Sequence, residues 1–253
     1  MEDRCEERAR QVPVMGGSMN AKNLLDAGRV RDAEKTLSSW LRDHPTDLPN
    51  RTFLFELLCF SGQYERAGKQ LALLAGANPQ AELGAVLYYS ALHAEQTRHE
   101  LFRKEEYPTV PASPSPPGKL NGKPFLSIAD ADPTIGSRLE VYAAGAYLWI
   151  PFEHIATIQM TPPQKLRDTL WAPAFVKPTS KFKGDDLGEV LLPAVYPFSW
   201  KSDDESLWLG RAADWVADDK GVEYPVGHKM LLVDGEQVPL LNVRTIEFEG
   251  ADD

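Results

Sequence analysis

Two carboxylates separated by one residue are the first candidates for chemistry in this 253-residue chain. Asp130 and Asp132 stand in the run IADAD, and His154 follows on a predicted strand. Carboxylate oxygens can hold a divalent cation, but a protein calcium site gathers about six or more oxygen ligands. Because Pro133 follows directly and no further ligands are nearby, this spacing is more typical of aspartates that cap a turn or a helix start. We therefore expect no bound metal and no cofactor, and a metal-dependent enzyme centred on Asp130, Asp132 and His154 is the weakest alternative.

Other catalytic patterns are missing from the sequence. The five histidines show no metal-ligand spacing such as H-E-x-x-H, and there is no G-x-S-x-G, phosphate-binding loop or G-x-G-x-x-G. Cys59 lies in the apolar run FLFELLCF, which predicts a buried thiol that acts as a small hydrophobe. The only other cysteine, Cys5, is close to the N-terminus, so a disulfide scaffold is excluded and a cytoplasmic location is expected. The sequence predicts a protein that is not an enzyme.

The charge of the chain excludes several other classes of protein. The net charge is −10, with 27 basic and 37 acidic side chains. Binding to nucleic acid or to an anionic membrane needs a basic surface, so neither partner is expected. No apolar run approaches the roughly 18 residues of a membrane span, and the charged N-terminus has no apolar signal core. Residues 1–110 carry a net charge of −2 and residues 111–253 a net charge of −8.

A proline-rich segment divides the chain into two parts of different predicted structure. Residues 107–118 read YPTVPASPSPPG, with five prolines in twelve residues, which predicts a stiff, extended linker. The sequence predicts four segments: a flexible lead at 1–18, a helical repeat domain at 19–106, a proline-rich linker at 107–120, and a β-rich domain at 121–253.

The first domain contains a repeat of 34 residues. Gly28–Ala33 matches Gly62–Ala67, and Leu37, Pro45, Leu71 and Pro79 keep the same offset. This is the tetratricopeptide period, with a small residue at the turn between helices and an alanine where two helices touch. The pattern predicts helices at 19–28, 31–43, 50–60, 64–75 and 80–105.

The sequence of the second domain predicts short strands and tight turns. The expected strands are 125–128, 139–143, 147–152, 154–160, 174–176, 189–192, 212–217, 229–233, 238–241 and 245–248, with a short helix at 164–171. The fold class is therefore α+β, with a tetratricopeptide-like helical domain followed by a small, mainly antiparallel β-rich domain.

A helical repeat array usually binds a peptide in a concave groove lined by the first helix of each pair. The residues predicted to face that groove are Lys22, Leu25, Asp26, Thr52, Glu56, Cys59, Phe60, Val86, Ser90 and His93. The alternative is that Leu25, Cys59, Phe60 and Val86 belong to the core.

Both halves of the chain resemble one protein family. Residues 24–47 (LLDAGRVRDAEKTLSSWLRDHPTD) and 53–75 (FLFELLCFSGQYERAGKQLALLA) are similar to the start of the ImpE/SciE/TagJ family of bacterial type VI secretion accessory proteins. The likeness continues with GKPF from Gly122, IADAD from Ile128 and YLWIPF from Tyr147. It extends to Pro162-Pro163, Leu166-Arg167-Asp168 and Trp171. The resemblance covers about residues 19–233.

The resemblance implies an adaptor and not a catalyst. Members of the family are associated with the contractile sheath of the secretion machine, where they are thought to bind the N-terminal helix of the small sheath subunit. They are also thought to connect with the AAA+ ATPase that dismantles contracted sheath. A general peptide-binding or chaperone-like module for another partner is the main alternative.

Overall fold

The computed structural model describes residues 17–77, 79–109, 111–182 and 187–250. Cys5 and most of the predicted lead lie outside these residues. The helices are α1 (Gly17–Asp26), α2 (Val30–Asp43), α3 (Leu48–Phe60), α4 (Tyr64–Ala75) and α5 (Pro79–Lys104). All five predicted helices are confirmed, with ends that differ from the prediction by at most two residues.

The 34-residue period is visible in the hydrogen bonds of two equivalent turns. After α1, the Gly28 and Arg29 amides donate to the carbonyls of Leu25 and Leu24, and after α3 the amides of residues 62 and 63 repeat these bonds to residues 59 and 58. Gly28 and Gly62 have φ values of +74° and +70°, a region that favours glycine. The repeat is therefore a repeat of structure as well as of sequence.

The β-rich region begins at Gly118, inside the segment predicted as linker. Its strands are β1 (Gly118–Leu120), β2 (Lys123–Phe125), β3 (Ile128–Asp130), β4 (Arg138–Ala143), β5 (Ala146–Pro151), β6 (Ile155–Met160), β7 (Trp171–Pro178), β8 (Gly188–Pro193), β9 (Ala213–Ala217), β10 (Glu223–Gly227), β11 (Met230–Val233), β12 (Glu236–Pro239) and β13 (Thr245–Phe248). The strand pairs are antiparallel, as predicted.

Eight strands form the main sheet in the order β2-β1-β13-β6-β7-β8-β4-β5. Strands β12, β11 and β3 form a second sheet, and β10 and β9 form a third. A short helix, α6 (Glu205–Trp208), lies between β8 and β9. Among the described residues, no helix is both long and apolar enough to cross a membrane.

Two local predictions about the β-rich region are wrong, and two of its strands were not predicted. The predicted strand 125–128 is broken, because the Asp234 carboxylate accepts the amides of Leu126 and Ser127 at 2.9 and 2.8 Å and holds a bend between β2 and β3. The predicted helix 164–171 is only a 3₁₀ turn, Leu166–Thr169, after which Trp171 starts β7. Strands β1 and β10 were not predicted.

The helices and the β-rich region share one hydrophobic core. Side chains of β4, β7 and β8, including Tyr142, Trp171 and Leu191, are buried in the same cluster as the helical core. A second cluster, which includes Val141, Ile158 and Leu192, lies within the β-rich region. The β-rich region therefore packs directly against the helices.

Candidate partner-binding groove

The β-rich region contacts two of the helices that were predicted to line the groove, α1 and α3. Arg167 donates to the Glu56 carboxylate of α3, Nη1 to Oε1, at 2.7 Å. Arg211 donates to the Leu25 carbonyl at the end of α1, at 2.8 Å. These contacts occupy the surface on which a bound peptide was expected.

Four of the ten predicted groove residues are inaccessible to a partner, which corrects their assignment. Leu25, Glu56, Cys59 and Phe60 are buried, with at most 8% of each residue exposed, and the three apolar ones belong to the cluster that includes the helical core. For Leu25, Cys59 and Phe60 the alternative of a core position is the right one. Burial raises the pKa of the Cys59 thiol well above its usual range.

The other six predicted groove residues keep some access to solvent. Lys22, Asp26 and His93 are exposed, Thr52 and Ser90 are half-buried, and Val86 is 58% exposed. Ser90 lies against the turn between β4 and β5, at Gly145. Of these six, Val86 belongs to a larger exposed apolar surface, described below, and their part in binding stays a prediction.

A buried network of charged side chains joins the two regions. Arg98 of α5 donates to Glu140 of β4 through Nε at 2.7 Å and Nη2 at 3.0 Å. Lys229 lies between Glu140 and Asp130, with its Nζ 2.6 Å from Asp130 Oδ2. Glu95 accepts the indole N–H of Trp171 at 2.8 Å and the hydroxyl of Tyr142 at 2.7 Å.

The electrostatics of this network differ from one carboxylate to the next. Burial alone would raise the pKa of Glu140, but the charges of Arg98 and Lys229 outweigh it and lower the pKa to about 2. Burial would also raise the pKa of Glu95. A hydrogen bond with His99 and the charge of Arg98 outweigh that effect and lower the pKa to about 2. For Asp130, burial exceeds the effect of Lys229 and raises the pKa to about 6.

The IADAD aspartates have structural partners, as the sequence spacing suggested. The Asp132 amide donates to Asp130 Oδ1 at 2.9 Å, and Asp132 Oδ1 accepts the Thr134 amide at 2.8 Å. The Tyr196 hydroxyl also donates to Asp130, at 3.1 Å. Within the described part of the chain, no group of three or more His, Cys, Asp or Glu side chains is placed to hold a metal ion.

An open groove lies between α5 and the main sheet, and we call it the α5 groove. It has a volume of about 660 Å³. Leu87 and Tyr88 form one wall, and Trp171 and Phe175 of β7 form another. The remaining lining residues are Gln159, Met160, Thr161, Arg167, Asp168, Pro173, Ala174, Glu189, Val190, Leu191, Arg244 and Thr245.

Large apolar side chains are exposed in the groove and along α5 beside it. Leu83, Val86 and Leu87 are 76%, 58% and 52% exposed, and Phe175 across the groove is 44% exposed. Residues three and four apart lie on one face of a helix, so the three α5 side chains form a continuous stripe. An exposed apolar surface of this kind is typical of interaction sites.

Arg167 fixes the floor of the groove to the helical region. Its guanidinium lies 4.6 Å from the centre of the Tyr88 ring while it is paired with Glu56. With Asp168, Glu189 and Arg244, the lining holds two basic and two acidic side chains. The groove therefore offers apolar shape more than net charge.

Sequence reasoning missed the residues that join the two regions. Glu95 and Arg98 lie one helical turn after Ala91 and Ala94, which are buried in the core. A charged pair on an apolar helix face could have indicated these residues. Charged side chains are almost never buried without partners, so the pair implies that oppositely charged groups pack against it. The far partners, Glu140 and Lys229, could not be read from α5 because they depend on how the sheet packs.

Two comparisons of sequence point to one family. The family model described as "ImpE protein" matches residues 122–247. A relative from Pseudomonas aeruginosa named "Type VI secretion system accessory component TagJ" is 29% identical over 269 residues, covering 93% of this chain and 93% of the relative. Both comparisons agree with the resemblance that the sequence motifs carried.

A solved structure has the same fold. The crystal structure of protein VPA1032 from Vibrio parahaemolyticus matches with a TM-score of 0.78 and covers 90% of this chain and 97% of that chain. The sequence identity is 23%, so the match concerns the fold alone. It confirms the α+β architecture of helices followed by an antiparallel β-rich region.

Proposed function

The chain belongs to the ImpE family, and on that premise we propose that it is a non-catalytic adaptor of the bacterial type VI secretion system. The adaptor acts in the cytoplasm and binds a helix of the small contractile-sheath subunit. The observation that carries this proposal is the α5 groove, with its stripe of exposed leucine and valine side chains.

The α5 groove replaces the concave face as the proposed binding surface. Four residues of the predicted concave groove are buried, whereas Leu87 and Phe175 lie on opposite walls of an open groove. Leu83 and Val86 extend the apolar wall along α5. An amphipathic helix that presents its apolar face at spacings of three and four residues fits such a surface.

The pairing of β7 favours a helical partner over an extended one. An extended peptide that adds to a sheet needs a free strand edge, but β7 is paired with β6 on one side and β8 on the other. A helix satisfies its own backbone hydrogen bonds and can bind through side chains alone. This argues for a helical segment and against a general receptor for extended peptides.

The binding experiment uses the purified full chain and a synthetic peptide that copies the N-terminal helix of the small sheath subunit from the same organism. Affinity is measured by calorimetry or fluorescence anisotropy for the natural chain and for a Leu87→Glu, Phe175→Glu double variant. Because the two substitutions place charges on both walls of the apolar groove, the affinity should fall at least about tenfold.

Leu73→Glu is the matched control. Leu73 is 56% exposed on α4 and does not line the groove, so the same type of substitution there should leave affinity unchanged. Circular dichroism checks that each variant is folded. Unchanged binding in the folded double variant would refute the groove assignment, and no binding by the natural chain would refute the sheath helix as partner.

The connection to the sheath-disassembling AAA+ ATPase is a second part of the proposal, supported by the family resemblance. It is tested by adding the purified ATPase to the chain with and without the small sheath subunit. Co-elution of all three proteins supports a link between sheath and ATPase. If the ATPase elutes separately in both mixtures, the adaptor role is limited to the sheath subunit.

A further inference from the structure

Strands β9 and β10 form a two-stranded sheet of their own, separate from the main sheet. In an antiparallel pair, the residues that exchange main-chain hydrogen bonds with the partner strand alternate with residues that do not. The His228 amide donates to the Ala212 carbonyl at one end of this pair, and the Asp218 amide donates to the Val222 carbonyl at the other. The even-numbered residues of β9 therefore bond to β10, and the odd-numbered ones face outward.

The outward residues of β9 are Ala213, Trp215 and Ala217, and all three are exposed. Within the described ranges, the amides of Ala213 and Ala217 have no hydrogen-bond partner, and neither do the carbonyls of the three residues. The Trp215 amide bonds only the carboxylate of its neighbour Asp214, at 2.8 Å. The outer edge of β9 is therefore a row of main-chain donors and acceptors that another strand can use.

Other strands at the sheet edges are protected. The main sheet ends at β2, which contains Pro124, and at β5, where Trp149 lies 5.8 Å from Phe102 of α5. Strand β12, at the edge of the second sheet, contains Pro239. Proline has no amide to donate, and a covering helix blocks pairing, so both features prevent the addition of a strand. Strand β9 has neither form of protection.

A small pocket opens beside the β9 edge. It has a volume of about 130 Å³, and its lining includes Asp214, Trp215, Pro225, Met230 and Gln237. Ligand pockets usually have about 300 Å³ or more, so this one has room for a single side chain of a larger partner. It shares no lining residue with the α5 groove. A free strand edge beside a side-chain pocket is the arrangement that strand-addition sites use, with main-chain bonds for affinity and the pocket for specificity.

The hairpin that carries this edge is acidic. Residues 213–227 hold four acidic side chains, Asp214, Asp218, Asp219 and Glu223. The one base among them, Lys220, lies 3.1 Å from Glu105 of α5, so its charge is already paired. In the pocket, Trp215 is 41% exposed, and an aromatic face beside a carboxylate suits a cationic side chain. The charge of the hairpin therefore favours a basic partner.

A second copy of this chain fits the edge less well than a basic protein does. Pairing β9 with β9 of another copy would bring two acidic hairpins together, and the whole chain already carries a net charge of −10. The same charge repels nucleic acid, which is a polyanion. An extended protein segment with basic side chains is the occupant that matches both the strand edge and its charge.

We propose that the outer edge of β9 binds an extended, basic segment of a partner protein by strand addition. The main chain of the segment bonds to the outward groups of Ala213, Trp215 and Ala217. A lysine or arginine of the segment enters the pocket between Asp214 and the Trp215 ring, and other basic side chains face the acidic turn of the hairpin. Because this site is separate from the α5 groove, it does not depend on the sheath subunit as a partner.

The test uses the full chain and a capped peptide of about eight residues that alternates lysine and valine. Amide hydrogen exchange is measured by nitrogen–proton NMR with and without the peptide. The amides of Ala213 and Ala217 should exchange at least about tenfold more slowly when the peptide is bound, because strand addition gives them acceptors. A peptide with N-methyl groups on two consecutive central residues keeps its charge but cannot pair along either edge, so it should bind at least about tenfold more weakly.

The deciding variant is Asp214→Lys, Glu223→Lys, which should weaken peptide binding at least about tenfold. Its matched control is Glu65→Lys, Glu82→Lys, in which two exposed acids outside the hairpin change the net charge by the same amount and binding should fall much less. Circular dichroism checks that both variants are folded. Equal losses in the two variants would show that only the overall charge attracts the peptide, and would overturn the proposal.

Two further results would also overturn it. One is unchanged exchange of the Ala213 and Ala217 amides with the peptide present, or equal binding of the N-methylated peptide. The other is a dimer of the natural chain, seen by sedimentation, that Ala217→Pro disrupts, since the edge would then belong to a second copy. The Leu87→Glu, Phe175→Glu variant of the α5 groove should bind the lysine peptide as the natural chain does, which keeps this test separate from that of the sheath helix.

Discussion

Arg98 and Glu140 form a two-bonded ion pair between α5 and β4, with 1% and 0% of their side chains exposed. The two residues are 42 positions apart and belong to the helical and β-rich regions. A bidentate pair fixes both the distance and the angle between the groups that carry it. This contact therefore holds the sheet in register with the helix that forms one wall of the α5 groove.

Replacing Arg98 with methionine should destabilise the protein by about 3–5 kcal/mol, because Glu140 and Glu95 would keep their buried charges with one partner fewer. Methionine keeps much of the buried volume, so most of the loss is electrostatic. Urea unfolding followed by tryptophan fluorescence measures the free energy of unfolding.

Arg103→Met provides the comparison for this prediction. Arg103 is exposed on the same helix and pairs with Glu100 at the surface, where such pairs contribute little. Its variant should unfold at the same urea concentration as the natural chain. Equal losses in the two variants would show that the buried pair has no special role.

The helical half of the fold could be predicted because its information is local. The spacing of Gly28, Ala33 and Leu37 repeats at Gly62, Ala67 and Leu71, and each of these positions has the same role in both copies. The β-rich half was harder, since the break between β2 and β3 depends on a distant partner. The carboxylate of Asp234, which holds that break, lies more than a hundred residues away in sequence.

The site could be predicted only in part for the same reason. Helical periodicity placed Val86 on an exposed face, but it also placed Glu56 and Phe60 in an open groove. Whether the concave face is open depends on where the β-rich region packs, and no local pattern carries that information. Phe175, the opposite wall of the α5 groove, enters the site only through the order of strands in the sheet.

The two repeat glycines should differ in their response to alanine, although they occupy the same position in the repeat. At Gly28 a Cβ would meet nothing within 4 Å, so the cost is the left-handed backbone conformation alone, about 1–2 kcal/mol. At Gly62 the Cβ would also collide with the Trp200 ring, so the loss should be larger. Thermal or urea unfolding of the two single variants gives the comparison directly. Equal losses would mean that Trp200 moves aside freely.

Cys59 should react with a thiol reagent only when the protein opens. The residue is 2% exposed, and burial raises the pKa of its thiol, so both access and thiolate formation are suppressed. The test uses a Cys5→Ser background, in which Cys59 is the sole thiol, and compares labelling in buffer and in denaturant. Rapid labelling in buffer would contradict the buried position of Cys59.

Acid should destabilise the fold in the pH window set by Glu140 and Glu95. Their pKa values are about 2 in the folded chain, against about 4.5 for an ordinary glutamate, so the folded state binds their protons less readily than the unfolded state. The stability they contribute is fully present above about pH 4.5 and is lost as the pH falls toward about 2, at up to about 1.4 kcal/mol per pH unit for each group.

Asp130 acts in the opposite direction between about pH 6 and pH 4, because its raised pKa makes protonation favour the folded state. The free energy of unfolding should therefore rise as the pH falls across that range and then fall steeply below about pH 4. Urea titrations at a series of pH values measure the free energy of unfolding as a function of pH. Asp130→Asn should remove the change between about pH 6 and pH 4 and leave the loss of stability at lower pH. A free energy of unfolding that stays constant down to about pH 3 would contradict the assignment of Glu95 and Glu140 as buried, ionised carboxylates.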